Sequence, residues 1–63
     1  MENLDRLLPG PKVRERYGVS EMSVWRWRHN ETLGFPKPTV INGRLYWYLR
    51  ELEAWESTRR AAP

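Results

Sequence analysis

The sequence predicts a mainly α-helical domain that carries one small β-hairpin, and three observations support this. Two short stretches of helical periodicity meet at Gly18-Val19-Ser20. An Asn42-Gly43 pair is flanked on both sides by β-branched and aromatic residues, and a last amphipathic stretch follows directly after it. At 63 residues the chain allows a single domain, expected over residues 1–63 with its core over about 7–60. Four Trp, three Tyr and one Phe are a large aromatic load for this length. Each ring, once buried, brings about 2–3 kcal/mol of transfer free energy, so the rings can replace the staples that small folds often need. Cysteine is absent, which removes disulfides and thiolate zinc sites and fits a reducing, intracellular compartment.

The first helix is expected over residues 11–17. Leu8 precedes Pro9-Gly10-Pro11, a turn whose prolines suit the first helical position, where a missing N–H costs nothing. Val13 and Tyr17 lie four apart on one face, while Lys12, Arg14, Glu15 and Arg16 fill the rest. Gly18 can adopt the left-handed conformation that ends a helix, and Val19 is the apolar residue of a tight turn. Ser20 is a preferred N-cap, so a second helix is expected from Glu21 to residue 29 or 30. Val24 and Trp27 form its apolar stripe, with Met22, Trp25, Arg26 and His29 on other sides. Two short helices joined by three residues including a glycine have the spacing of a helix-turn-helix, whose second helix enters the DNA major groove.

The break Gly34-Phe35-Pro36-Lys37-Pro38 leads into Thr39-Val40-Ile41, Asn42-Gly43 and Arg44-Leu45-Tyr46-Trp47-Tyr48. Asn-Gly supplies the positive φ angles of a type I′ turn, so Ile41 is expected opposite Arg44, Val40 opposite Leu45 and Thr39 opposite Tyr46. Alternation then assigns Val40, Leu45 and Trp47 to the core face, and Thr39, Ile41, Arg44 and Tyr46 to solvent or a ligand. A last helix is expected over residues 49–60 on a stripe of Leu49, Leu52 and Trp55, with Trp27, Trp47 and Trp55 all in the core. The tail Arg59-Arg60-Ala61-Ala62-Pro63 is expected to fray.

The net charge is +3, distributed unevenly. Residues 26–50 hold Arg26, Arg28, Lys37, Arg44 and Arg50 against Glu31 alone, a local charge of +4, whereas residues 1–25 balance four bases with four acids. A polyanion is therefore expected to dock on the middle of the chain. No apolar run has the length of a membrane span, and Met1-Glu2-Asn3-Leu4-Asp5 lacks the order of a secretory signal, so a cytoplasmic protein with no membrane partner is expected.

The ordered set Val19-Ser20, Ser23-Val24-Trp25-Arg26, Gly34-Phe35-Pro36-Lys37-Pro38, Asn42-Gly43-Arg44, Tyr46-Trp47 and Glu53-Ala54-Trp55 resembles the AlpA family. The resemblance spans residues 7–55, and its specificity lies in the order, since each motif alone is weak. That family contains phage and prophage transcriptional regulators and excisionases, so the resemblance implies a bacterial or phage-infected cell as the expected setting. The resemblance implies a winged helix-turn-helix related to the MerR-type DNA-binding domain: helix-turn-helix, two-stranded wing and C-terminal helix. It also implies a recognition helix in the major groove and a wing on the neighbouring backbone or minor groove. In one respect the chain departs from the pattern, because Tyr48-Leu49-Arg50 offers no small polar cap for the last helix. MerR-type activators append a dimerising coiled coil and a ligand domain for which this chain has no residues, so no small-molecule ligand is expected.

On the recognition helix, Arg26 points away from the apolar stripe, where its guanidinium can fork onto guanine O6 and N7 or clamp a phosphate. Ser20 caps the helix, and Ser23 can bond a phosphate. Glu21 and Met22 stand at the leading end, where Glu suits cytosine N4 and Met a thymine methyl, although Glu21 also simply favours the helix dipole. Trp25 lies roughly 100° from Val24 around the helix, which leaves it against the sugar-phosphate backbone or packed on the wing or first helix. Arg28 and His29 are expected to reach phosphates at the helix end. In the wing, Lys37 and Arg44 flank the hairpin and Asn42-Gly43 forms its tip; Arg44 suits DNA contact or protection of a hairpin edge beside Ile41.

No enzyme is expected. Ser20 and Ser23 have no base at usable spacing, Gly34 and Gly43 form no phosphate loop, and a lone His29 without cysteines makes neither a triad nor a metal site. No cofactor follows. The expected partner is double-stranded DNA, bound sequence-specifically by a regulator or by an excisionase that bends attachment-site DNA, with RNA polymerase or an integrase as protein partner. One module of this size buries roughly 600–1,000 Å² on DNA, so cooperative binding by a homo-oligomer is expected. The alternative is a protein-interaction module that uses its aromatic surface and has no DNA role.

Overall fold

The computed structural model describes residues 6–60. The start, Met1 to Asp5, and the 61–63 part of the expected fraying tail lie outside the described residues. Elements follow in the order β1 (Leu7–Pro9), α1 (Gly10–Tyr17), α2 (Glu21–Arg28), β2 (Thr39–Ile41), β3 (Arg44–Tyr48) and α3 (Leu49–Arg60). Among the described residues no helix is long and apolar enough to cross a membrane.

Both ends of the α1–α2 corner follow from local chemistry. Gly18 adopts φ 65° and ψ 38°, and its N–H bonds Glu15 O while that of Val19 bonds Arg14 O, which satisfies two carbonyls at the end of α1. The Ser20 hydroxyl accepts from Ser23 N–H at 3.2 Å and caps α2. Helix α1 starts one residue earlier than expected, at Gly10, and α2 stops at Arg28 because His29 leaves helical geometry and turns its N–H onto Arg26 O and Trp25 O.

The hairpin has the expected register, Ile41 with Arg44, Val40 with Leu45 and Thr39 with Tyr46, closed by Asn42 at φ 52° and Gly43 at φ 75°. It is not, however, a free two-stranded wing. Leu7, Leu8 and Pro9 pair antiparallel with Tyr48, Trp47 and Tyr46, giving a three-stranded sheet of order β1-β3-β2. Proline suggested only a turn here, yet at an edge strand its missing N–H removes no ladder bond. The added strand also explains how α3 starts without a polar cap, since Leu49 N–H donates to Arg6 O at 2.8 Å.

Five residues make the buried core: Val13 from α1, Val24 from α2, Phe35 from the connecting loop, Trp47 from β3 and Leu52 from α3. Tyr17, Val19, Trp27, Leu45 and Trp55 pack around them, half-buried. Trp47 is therefore a core residue as expected, whereas Trp27 and Trp55 form the core's outer shell. Val40 overturns its core assignment: it shares a face with Leu45 but is 64% exposed, because it stands on the edge strand β2 whereas Leu45, directly opposite, is on the central strand β3 and packs against the core. On the opposite face Ile41 and Arg44 are exposed, while Thr39 and Tyr46 are half-buried. Arg59 and Arg60 do not fray; both are helical, and Arg59 Nη2 donates to Leu33 O with its guanidinium 5.1 Å from the Trp55 ring centre.

Phe35 is the hub of an aromatic cluster. Its ring centre lies 4.9 Å from Trp55, 5.4 Å from Trp27, 6.1 Å from Tyr17 and 6.1 Å from Trp47. The Phe35–Trp55 pair is edge-to-face at 89°, a favoured arrangement for ring quadrupoles. Trp47 Nε1–H donates to Pro36 O at 2.9 Å and Trp55 Nε1–H to Leu33 O at 3.1 Å, so two strong donors are satisfied where burial would otherwise make them costly.

A polar clasp closes the same region. Arg16 grips Glu56 through two bonds, 2.6 and 2.9 Å, and Tyr17 Oη–H donates to the same carboxylate at 2.6 Å. The Arg16 hydrogen bonds hold the Glu56 carboxyl below its ordinary value, against partial burial that works the other way. Burial first, then the bond to Glu56, raises the Tyr17 hydroxyl.

Two stability predictions follow from this packing. Phe35→Ala should destabilise by about 3–5 kcal/mol, a large part of what so small a domain has, and urea denaturation followed by tryptophan fluorescence measures it. A carboxyl lowered on folding contributes stability above its unfolded value of 4.5 and loses it as pH falls through the folded value. The midpoint difference between wild type and Glu56→Gln should therefore be largest near neutral pH and shrink below about pH 4.5 in thermal melts.

Candidate nucleic-acid interface

Helix α2 is held from one side only. Val24 is buried and Trp27 packs into the aromatic cluster, which turns Glu21, Met22, Trp25 and Arg26 outward. Met22 is 55% exposed and Trp25 50%, high for side chains whose burial would stabilise a domain this small. Arg26 is exposed and has no ion-pair or hydrogen-bond partner for its side chain among the described residues.

The other α2 residues have local commitments. Ser20 Oγ accepts from Ser23 N–H and also lies 3.2 Å from Ser23 Oγ, to which it donates, so the half-buried Ser23 hydroxyl keeps its own proton for a further acceptor. The His29 ring stacks on Trp25, centres 4.1 Å apart and planes at 28°. Its Nδ1 lies 2.8 Å from Trp25 O; a carbonyl only accepts, so Nδ1–H is the donor and Nε2 remains outward. Trp25 thus lies on its own helix, stacked with His29, with half its surface in solvent. Arg28 is half-buried, and its Nε is fully enclosed with no hydrogen-bond partner among the described residues.

The fold brings part of the hairpin to this helix. Glu21 and Arg44 line one surface hollow together with Pro9, Gly10, Pro11, Arg14 and Leu45. Glu21, Trp25 and Arg28 line an adjoining one with Arg14, Val24 and Trp47. Asn42 and Gly43 form the exposed tip. Lys37 is not on this face: it borders a separate groove with Leu33, Phe35 and Pro36, against Glu51, Ala54, Trp55 and Thr58 of α3. Arg14 lines both hollows although its sequence pattern marks it only as one of several polar residues on α1. Its position next to Val13, and therefore at the edge of the buried stripe, was the available signal.

No family model matches the chain, and neither a curated protein nor a solved structure matches it. The geometry of its own residues is what supports a functional reading.

Ser20→Ala should cost about 1 kcal/mol of stability in urea denaturation, because it removes the cap acceptor of the helix that carries the exposed face.

Proposed function

We propose that this chain is a sequence-specific double-stranded DNA-binding module of the winged helix-turn-helix kind, acting as a phage or prophage regulator or excisionase as its resemblance to the AlpA family implies. One observation carries the reading: a capped eight-residue helix, anchored by Val24 and Trp27, presents Met22, Trp25 and an unpaired Arg26 outward. A helix of that length fits the major groove, and a free guanidinium with neighbouring apolar groups supplies the donors and methyl contacts that read base edges there. The hairpin extends from the same side, with Arg44 exposed next to the Asn42-Gly43 tip, where it suits the adjacent backbone. On this reading Glu21 and Met22 face base edges, Ser23 and Arg28 position the backbone, and the exposed Val40 and Ile41 lie along the wing. Lys37, turned towards α3, is the weakest member of the wing set.

A second reading draws on the same exposed apolar groups. Met22 and Trp25, with Glu21, line a shallow apolar hollow that suits a side chain of a protein partner. This reading requires no affinity for DNA.

Binding of the purified chain to fragments from its own genomic neighbourhood, at two salt concentrations, separates the two. The DNA reading expects tight binding to selected fragments, and it expects Arg26→Ala and Arg44→Ala each to weaken binding and to flatten the plot of log affinity against log salt by roughly one where a phosphate contact is lost. Affinity no better than for random DNA, with neither arginine mattering, would favour the protein-partner reading. Adjacent sites and bent DNA indicate an excisionase, a promoter operator a regulator.

A further inference from the structure

Three arginines from three elements border two adjoining hollows, with Arg14 on both. They are Arg14 of α1, Arg28 of α2 and Arg44 of β3, and the hollows share a wall of Gly10, Arg14, Glu21 and Leu45. Arg28 closes the inner hollow beside Trp25 and Trp47; Arg44 closes the outer one beside Pro9 and Pro11. Arg14 is the common member. It folds back along α1, with Nη1 only 3.6 Å from where a Cβ on Gly10 would stand, which keeps its guanidinium over the start of the helix.

Nothing in the described residues neutralises this group. None of the three arginines makes an ion pair there, and Glu21, the only carboxylate on either wall, is exposed and pairs with none of them. Cations that border adjoining hollows repel one another, and an anion seated between them offsets that repulsion. Arg28 is half-buried with its Nε enclosed and without a partner, so its side chain is held in place beside the hollow and only its terminal nitrogens are left to meet an anion there. Donors arriving from three elements suit the tetrahedral oxygens of a phosphate better than a planar carboxylate, and guanidinium forks match phosphate oxygens well.

We propose that Arg14, Arg28 and Arg44 form a single seat for one phosphate group of a nucleic-acid backbone, with Arg14, outside the recognition helix and the hairpin, as its central ligand. The seat ties the helix and the hairpin to the same phosphate and so sets the register of one against the other on the duplex. Glu21 at the rim opposes the anion and weakens the seat. The source of the phosphate rests on the DNA reading above; the anion chemistry does not.

The test has two arms on the full chain. In the first, ¹⁵N-labelled protein is titrated with inorganic phosphate at constant ionic strength. The Nε–H signals of Arg14 and Arg28 and the Gly10 amide should shift together and saturably, Arg14→Gln should weaken the effect several-fold, and the exposed Glu21→Gln should strengthen it. In the second, the salt slope of duplex binding is compared for Arg14→Gln, Arg28→Gln and the double variant. One shared phosphate predicts a total loss of slope of no more than about 0.9, in the double variant as in either single, whereas separate phosphates predict about 0.9 for each single variant and about 1.8 for the double. Saturable phosphate binding without any duplex affinity supports the seat and assigns its phosphate to another source, which sinks the DNA reading alone. Absence of a saturable shift in wild type, a weakening in Glu21→Gln, or additive slopes in the double variant overturns the seat, and the DNA reading survives if duplex binding persists.

Discussion

Most of this structure depends on where Phe35 is held. It lies in the connection between α2 and the hairpin, a segment with no regular structure, yet it is as deeply buried as Val24 and meets the rings of Tyr17, Trp27, Trp47 and Trp55. The two indole N–H groups that bond Leu33 O and Pro36 O pin the loop on either side of it. Each of these contacts is modest alone. Together they join α1, α2, β3 and α3 in a domain too small for a large aliphatic core, and they replace the covalent staples the sequence lacks.

That arrangement has a direct consequence for the surface. Because Trp27 and Val24 satisfy the cluster from one side of α2, the opposite side needs no further packing and its residues are free to serve a partner. The exposed Trp25 and Met22 and the enclosed, unpartnered Arg28 Nε are poor choices for stability alone. Local disagreement between a side chain and its surroundings is where a fold most often carries function. The polar clasp of Arg16, Tyr17 and Glu56 differs in kind, since its members satisfy one another and fasten α1 to α3.

Much of this was legible in the sequence where the signal was local. Gly18, Ser20 and Asn42-Gly43 each prescribe a backbone geometry by their own chemistry, and α3 has the expected bounds of 49–60. The missing element was β1: three residues, one of them proline, form a strand only because β3 offers an edge far along the chain, a fact no local pattern holds. Val40 failed for a related reason. Alternation assigns a face, but that β2 is left at the edge and β3 in the centre depends on the pairing with β1. At the site, Arg26 could be picked out from helical periodicity. The place of Arg14 between Arg28 and Arg44, on the shared wall of two hollows, could not, since it needs three elements packed against one another.

Chemical-shift mapping of the ¹⁵N-labelled chain against a duplex selected from its genomic neighbourhood tests most directly whether the aromatic cluster holds α2 and the hairpin as one DNA-binding face. Shifts should concentrate in residues 21–28 and 41–44 and at Gly10 and Arg14 at the start of α1, with Glu53 of α3 unmoved. Shifts confined to the groove between Lys37 and α3, or none with any duplex, would contradict it.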